Sequence, residues 1–333
     1  MTHFRLLTRT SGGEVSHDDQ FAIDVLTGLS ATRKHLSAKY FYDDTGSEIF
    51  QKITRHQDYY LTTKEVEIIS NIKNQLAGVI DEQEIDIIEL GVGDGHKSQL
   101  IIDGFLQSGC KVNFYPIDIS EKAMFMLQEN IVPNDNLTIH GVIAEYFDGL
   151  KLVRGQSKNK QLVLFLGSNI GNFNREQSLG FLRKLWASLE ASDYVFIGYD
   201  LKKDVQKLTA AYNDADGLTA QFNLNLLNRI NTELGGNFKL DKFQHFGVYN
   251  PVLGAMESYV LSTEKQEVYI SALQRAFQFD AYEAIHLEYS YKFSKKDISQ
   301  LSQQTGFTVV KHFTDSNAYF VDSLWQVVKE ARQ

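Results

Sequence analysis

The run Ile85-Asp-Ile-Ile-Glu-Leu-Gly-Val-Gly-Asp-Gly-His-Lys97 constrains the fold of this 333-residue chain more than any other segment. An apolar stretch ends in the acid Glu89. Gly91, Gly93 and Gly95 follow, and Leu100, Ile101, Phe105 and Leu106 then recur at helical spacing. Strand, glycine turn, helix is the order in which an open α/β sheet builds a ligand site. Glycine lets the backbone come close to a ligand, and the helix N-terminus offers N–H groups. The turn reads G-x-G-x-G, not the G-x-G-x-x-G of dinucleotide sites. A pyrophosphate favours a turn free of acids, whereas Glu89 and Asp94 bracket this one. A cationic or zwitterionic cofactor without phosphate fits better, and S-adenosylmethionine, with its sulfonium and ammonium, is such a molecule. Asn113-Phe-Tyr-Pro-Ile-Asp118-Ile-Ser120 reads as a second strand ending in an acid, where doubly wound folds grip a ribose diol. The plainer alternative is that Asp118 caps a helix starting near Ser120. The turn and the acid together, rather than either alone, carry the cofactor expectation.

A formal net charge of −9 argues against a nucleic-acid partner. With Cys110 as its single cysteine, the chain has no disulfide framework and no cysteine-rich metal site. The nine histidines show no H-x-x-x-H or similar ligand spacing, so no metal is expected. No leader signature opens the sequence, and no segment is apolar enough over sufficient length to span a bilayer. The expectation is a cytoplasmic, monomeric protein that meets a small molecule rather than a membrane.

Ahead of the glycine turn the pattern is helical. Phe21, Val25, Leu26 and Leu29 recur at helical spacing, as do Ile49, Phe50 and Ile53, and Tyr59–Glu65 opens another helix with Thr62 or Thr63 as its cap. After the turn, strands at 86–90, 112–117, 137–143, 161–166 and 193–197 alternate with helices, which predicts a parallel sheet with crossovers. Residues 204–237 break that rhythm as one long helical stretch, and antiparallel strands are expected at 243–249, 255–262 and 267–270. The predicted organisation is α/β: a Rossmann-like core at 79–200 rejoined by 284–333, a helical segment at 1–78 that contributes to the substrate pocket, and an inserted α+β substrate lobe at 201–283. The active site is expected in the cleft. In 286–294, His286, Glu288, Ser290 and Lys292 are predicted to point one way and Leu287, Tyr289, Tyr291 and Phe293 the other. Periodicity alone makes the polar side a solvated face. Phe165-Leu-Gly-Ser-Asn-Ile-Gly-Asn172-Phe173 follows the fourth strand, at the carboxyl edge where such sheets bind ligands.

Collinear landmarks make the resemblance specific: Lys39-Tyr-Phe-Tyr-Asp-Asp-Thr-Gly-Ser-Glu-Ile-Phe50, Tyr59-Tyr-Leu-Thr-Thr-Lys-Glu65, Glu89-Leu-Gly91, Phe165–Asn172, Asp200-Leu-Lys-Lys-Asp204, Ala211-Tyr-Asn-Asp214, Phe222-Asn-Leu-Asn225 and Glu288-Tyr-Ser-Tyr-Lys-Phe293. Over nearly its whole length the chain resembles the histidine Nα-methyltransferases of ergothioneine biosynthesis, a class I S-adenosylmethionine-dependent group. The resemblance implies a cofactor site at Gly91, Lys97, Asp118, Glu145 with Tyr146, and Gly167, to which the turn itself adds Glu89 and Gly93. It implies an amino-acid pocket with Tyr42, Tyr59, Tyr212 and Asn172, Asn172 orienting the amine. It further implies that Glu288 and Ser290 read an imidazole. Two departures stand out. Ser258 occupies a pocket position where a methionine is found in the family, and Val92-Gly-Asp-Gly replaces a turn usually rich in serine and threonine.

Methyl transfer from a sulfonium to an amine is an in-line displacement that needs a neutral, oriented amine more than a strong base. A free α-amino group has a pKa of about 7.7–8.0, so part of it is already neutral at physiological pH. Tyrosine faces around it could hold the growing ammonium. The expected activity is methylation of the α-amino group of a free amino acid, L-histidine first. A different amino acid or small amine, a protein that holds S-adenosylmethionine without catalysis, and a nicotinamide-dependent oxidoreductase are the alternatives.

Overall fold

The computed structural model describes residues 4–8, 17–119, 124, 125, 127 and 130–329. The helix start expected near Ser120 lies outside them. Among the described residues the chain divides into two compact units.

The first unit comprises the described parts of 1–10, 64–201 and 293–333. Its strands are β1 (Phe4–Thr8), β2 (Glu84–Leu90), β3 (Lys111–Asp118), β4 (Leu137–Ile143), β5 (Lys160–Phe165), β6 (Tyr194–Asp200), β12 (Phe307–Thr314) and β13 (Phe320–Val327). They form one sheet in the order β1-β4-β3-β2-β5-β6-β13-β12. The pairs from β1 to β6 are parallel, whereas β13 runs antiparallel to both β6 and β12. Six of the seven residues of β2 are buried, which is the pattern of a central parallel strand covered on both faces. The chain leaves β2 toward β3 and β4 and returns on its other side with β5. The carboxyl ends of β2 and β5 therefore flank the switch point at which open sheets bind ligands. The helices of this unit include α4 (His96–Gln107), α5 (Tyr146–Gln156), α6 (Arg175–Ser188) and α9 (Lys295–Thr305).

The second unit comprises the described parts of 11–63 and 202–292. It holds α1 (His17–Ser30), α2 (Asp44–Thr54), α7 (Val205–Ala211) and α8 (Leu218–Leu234). Strands β7 (Phe243–Asn250), β8 (Ala255–Ser262) and β11 (Ala284–Tyr291) make an antiparallel sheet with β8 in the middle, and β9 (Gln266–Ile270) pairs with β10 (Arg275–Phe279). Its core draws on every part of the unit: Phe21, Phe41, Phe222, Leu226, Ile230, Val260, Phe279 and Ile285 are buried together.

These boundaries differ from the sequence reading in three places. The N-terminal segment is not wholly helical, because β1 pairs in register with β4 at the sheet edge. The helix α3 (Tyr60–Ile80) belongs to the core unit from Lys64 onward, and it starts before Thr62 and Thr63. Thr63 does not cap it; its Oγ1 donates to the Tyr60 carbonyl, 2.9 Å away. Residues 284–292 leave the core for the second unit because β11 finds its hydrogen-bonding partner in β8. The stretch 204–237 is also broken. Asp214 accepts from the N–H groups of Leu218 and Thr219, each at 2.7 Å, and so starts α8 as a separate helix.

Candidate active site

In the first unit the glycine turn is built as the sequence implies. Gly91, Gly93 and Gly95 all have positive φ, and Gly95 stands at the start of α4. A Cβ on Gly91 would meet the Tyr146 hydroxyl at 2.9 Å, so only glycine fits where the turn leaves β2. Around Gly93 a Cβ would meet nothing within 4 Å, which leaves its backbone open. The N–H of Gly91 donates to the Ile117 carbonyl at 2.9 Å and ties the turn to the end of β3, where Asp118 stands. Glu145 takes the N-cap position of α5 without a side-chain capping bond. Burial pushes the Tyr146 phenol above its ordinary range, with Asp118, Glu145 and Glu89 adding to the effect.

Glu89 is buried at the end of β2, where the Ser98 hydroxyl donates to it. Burial pushes its carboxyl up to about 8, although Ser98 and Lys97 pull the other way. Lys97, the second residue of α4, donates to Glu65 Oε2 at 2.5 Å. Burial opposes its charge, yet Glu65, Glu89 and Asp322 hold the ammonium above its ordinary pKa. The other Glu65 oxygen accepts the Gly167 N–H at 2.7 Å. With that N–H occupied, Gly167 can offer a ligand its carbonyl. Ser168 follows in the left-handed region, and its hydroxyl accepts the Asp200 N–H at 3.0 Å. Asn172 ends the short 3-10 turn Asn169–Asn172 in the same loop. The structure thus gathers Glu89, Gly91, Gly93, Lys97, Asp118, Glu145, Tyr146 and Gly167 around the carboxyl ends of β2, β3, β4 and β5. An open glycine backbone amid Glu89, Asp118 and Glu145 suits a cofactor that carries positive charge and a ribose.

Tyr42, Tyr59 and Tyr212 lie in the second unit. Asp43 caps α2 by accepting the Gly46 N–H at 2.7 Å and also takes the Asn225 amide at 2.8 Å, which fixes the backbone beside Tyr42. Tyr42 and Phe50 pack edge to face at 5.4 Å, Phe50 and Tyr59 at 6.3 Å, and Tyr59 and Tyr212 at 6.4 Å. The three tyrosines therefore share one aromatic cluster with Phe50 and Phe222.

The alternation expected along β11 is interrupted. A bulge between His286 and Glu288 sets His286 opposite Tyr259, Glu288 opposite Ser258 and Ser290 opposite Met256. Since paired residues share a face, His286 stands on the side of Tyr259, Glu257 and Tyr289, away from Glu288 and Ser290. Its ring lies 4.1 Å from that of Tyr289 and 5.1 Å from that of Tyr259. The extra residue of the bulge reverses the expected side of His286; Glu288, Ser290 and Lys292 keep a common side. Ser258 and Ser290 are buried. Burial pushes the Glu288 carboxyl up to about 7, with Lys292 pulling it down. The Ser290 and Tyr212 hydroxyl oxygens are 2.7 Å apart, and Lys292 Nζ donates to both, at 2.8 and 2.9 Å.

The model of the family described as histidine-specific, S-adenosylmethionine-dependent methyltransferase matches residues 21–327. The chain belongs to that family. It is 33% identical to a histidine N-alpha-methyltransferase of Mycobacterium tuberculosis, over 90% of this chain and 93% of the relative. It is 32% identical, with the same coverage, to one of Mycolicibacterium smegmatis. Against ergothioneine biosynthesis protein 1 of Schizosaccharomyces pombe, identity is 28% over 87% of this chain and 38% of that longer protein. As a member of this family the chain is an S-adenosylmethionine-dependent methyltransferase. Among the described residues no helix is long and apolar enough to cross a membrane.

Three residues of these sites escaped the sequence reading. Glu65 carried a signal: it stands on the apolar stripe of α3 between Leu61 and Ile68, where an acid is out of place unless it is partnered. Lys292 carried a similar one, a lysine on the side of β11 that turns out to be buried. Ser98 gave none, since a serine in the first turn of a helix is ordinary.

Proposed function

We propose that the enzyme methylates the α-amino group of free L-histidine. The observation that carries this reading is Glu288, whose partly buried carboxylate shares a face with Ser290 and lies in register with Ser258. A carboxylate in such a place is costly without a partner, and an imidazole N–H is a good one. Bound at the glycine turn, S-adenosylmethionine supplies a methyl group already activated by a sulfonium. Glu89, Gly91, Gly93, Lys97, Asp118, Glu145, Tyr146 and Gly167 would hold it: Asp118 would take the ribose diol, Glu145 the adenine amino group, and Gly167 would offer its carbonyl to the ammonium. Asn172 orients the substrate amine. The faces of Tyr42 and Tyr59 favour the ammonium that forms, by about 0.5–2 kcal/mol each; Tyr212 already carries the Lys292 ammonium over its ring, at 4.7 Å. No metal is required, because the leaving thioether needs no acid.

A screen of free amino acids with S-adenosylmethionine, read by mass spectrometry, tests the assignment. Histidine should gain one or more methyl groups. Glu288→Ala should lower kcat/KM for histidine by about 10²-fold or more, with affinity for S-adenosylhomocysteine unchanged. Methylation of another amino acid and none of histidine overturns the substrate while leaving the methyltransferase standing. Ser258 favours that second reading, since the residue in register with Glu288 is shorter and more polar than the methionine expected there from the family.

A further inference from the structure

Lys292 follows β11, two residues beyond Ser290, and is buried. Taking an ammonium out of water is expensive, and an apolar residue of similar volume is often tolerated or even stabilising in its place. Packing alone therefore gives no reason for a lysine here. Its hydrogen bonds supply one. Nζ donates to Ser290 Oγ at 2.8 Å and to Tyr212 Oη at 2.9 Å, and these two oxygens are hydrogen-bonded to each other at 2.7 Å.

The triangle restricts where its protons can go. An ammonium has donors only, so each hydroxyl oxygen uses one lone pair on Lys292. A phenol is a far stronger acid than an alcohol, so Tyr212 is the better donor and Ser290 the better acceptor between them. Ser290 Oγ then accepts from both Lys292 and Tyr212, both its lone pairs are engaged, and its own hydrogen is left over. Toward a ligand, Ser290 is a donor.

We propose that Lys292 is a positioning residue for substrate selection: through Ser290 and Tyr212 it makes the ring end of the pocket present one donor, Ser290, beside one acceptor, Glu288. The inference rests on the reading of Glu288 and Ser290 as the side-chain end of the substrate site. Glu288 and Ser290 lie two residues apart on one face of β11, so they meet the same edge of a bound ring. A neutral imidazole answers that pair with one N–H and one bare nitrogen. A five-membered ring without nitrogen answers neither, and leaves a buried donor and a half-buried acceptor without partners.

The test compares L-histidine with L-β-(2-thienyl)alanine, a ring of similar size without nitrogen, in the wild type and in Lys292→Met, Ser290→Ala and the double variant. Binding of S-adenosylhomocysteine, measured by calorimetry, shows whether each variant is folded. Lys292→Met should reduce the histidine-to-thienylalanine ratio of kcat/KM at least tenfold, mainly through the KM for histidine, with cofactor affinity within twofold of wild type. Ser290→Ala should do the same, and the double variant should be no worse than Ser290→Ala, because the two residues act as one unit. Lys292→Gln, which keeps a neutral donor, should fall between wild type and Lys292→Met, and it serves as the test if methionine disturbs folding. An unchanged ratio in a folded Lys292 variant, or losses that multiply in the double variant, overturns the proposal alone. A wild type that leaves histidine unmethylated overturns the substrate reading first, and the proposal with it.

Discussion

Asp118 and Glu65 show how differently two acids of one unit announce themselves. Asp118 ends an apolar strand one element after a glycine turn, so position in the pattern is enough to mark it. In the structure it stands beside the turn, through the bond from the Gly91 N–H to the Ile117 carbonyl. Replacing it by alanine should cost the ribose diol a charge-assisted partner, about 1.5–3 kcal/mol. Affinity for S-adenosylhomocysteine should fall roughly 10- to 150-fold by titration calorimetry, with thermal stability little changed; undiminished affinity would remove Asp118 from the cofactor site. Glu65 was harder to read, because its role depends on partners 32 and 102 residues away. No local pattern encodes such a meeting. The same holds for Lys292, whose partner Tyr212 lies 80 residues away.

At the level of elements the core strands were legible because a buried parallel sheet writes continuous apolar runs, and β2 to β6 each fall within a few residues of their expected ends. Three features were not. The edge strand β1 is five residues long, too short to stand out by periodicity. The bulge in β11 leaves the polar-apolar alternation of the sequence intact while reversing what it means for His286. The split at Asp214 needed knowledge of which N–H groups it would accept. The contact between α3 and β6 yields a prediction at this scale. A Cβ on Gly198 would lie 2.4 Å from Glu65 Oε1, the oxygen that holds the Gly167 N–H. Gly198→Ala should therefore push Glu65 off both Gly167 and Lys97, at about 1–3 kcal/mol of stability. Cofactor affinity should fall as well, although Gly198 has no place among the cofactor residues. A variant with reduced melting temperature and intact S-adenosylhomocysteine binding would show that the Glu65 bridge is not needed for the site.

Across the whole molecule, buried carboxyl groups of both units tilt stability in one direction. Burial pushes Glu89 up to about 8 and Glu288 up to about 7, and it raises Asp322 well above its usual range with help from Glu65. Between the unfolded values, 4.5 for the glutamates and 3.8 for Asp322, and these raised values, the unfolded chain loses its protons while the folded chain keeps them. Stability therefore declines as pH rises through that window. The half-buried histidines His245, His286 and His312 work the other way, since desolvation lowers their pKa values. Their neutral forms favour folding, and that contribution is lost as pH falls below about 6.5. Above about pH 6.5 the histidine contribution is complete, and only the carboxyl trend remains in the cofactor-free enzyme. From there to pH 8 the melting temperature should fall. Glu89 alone accounts for about 2 kcal/mol of that loss, because its folded form is protonated at pH 6.5 and still half protonated at pH 8, whereas the unfolded form is ionised throughout. Glu89→Gln, which resembles the protonated side chain, should remove that share of the slope in a calorimetric series. A melting temperature that held level or rose between pH 6.5 and 8, or a slope untouched by Glu89→Gln, would mean that these carboxyls are ionised in the folded enzyme. The acid-bracketed turn would then face its cofactor with full negative charge.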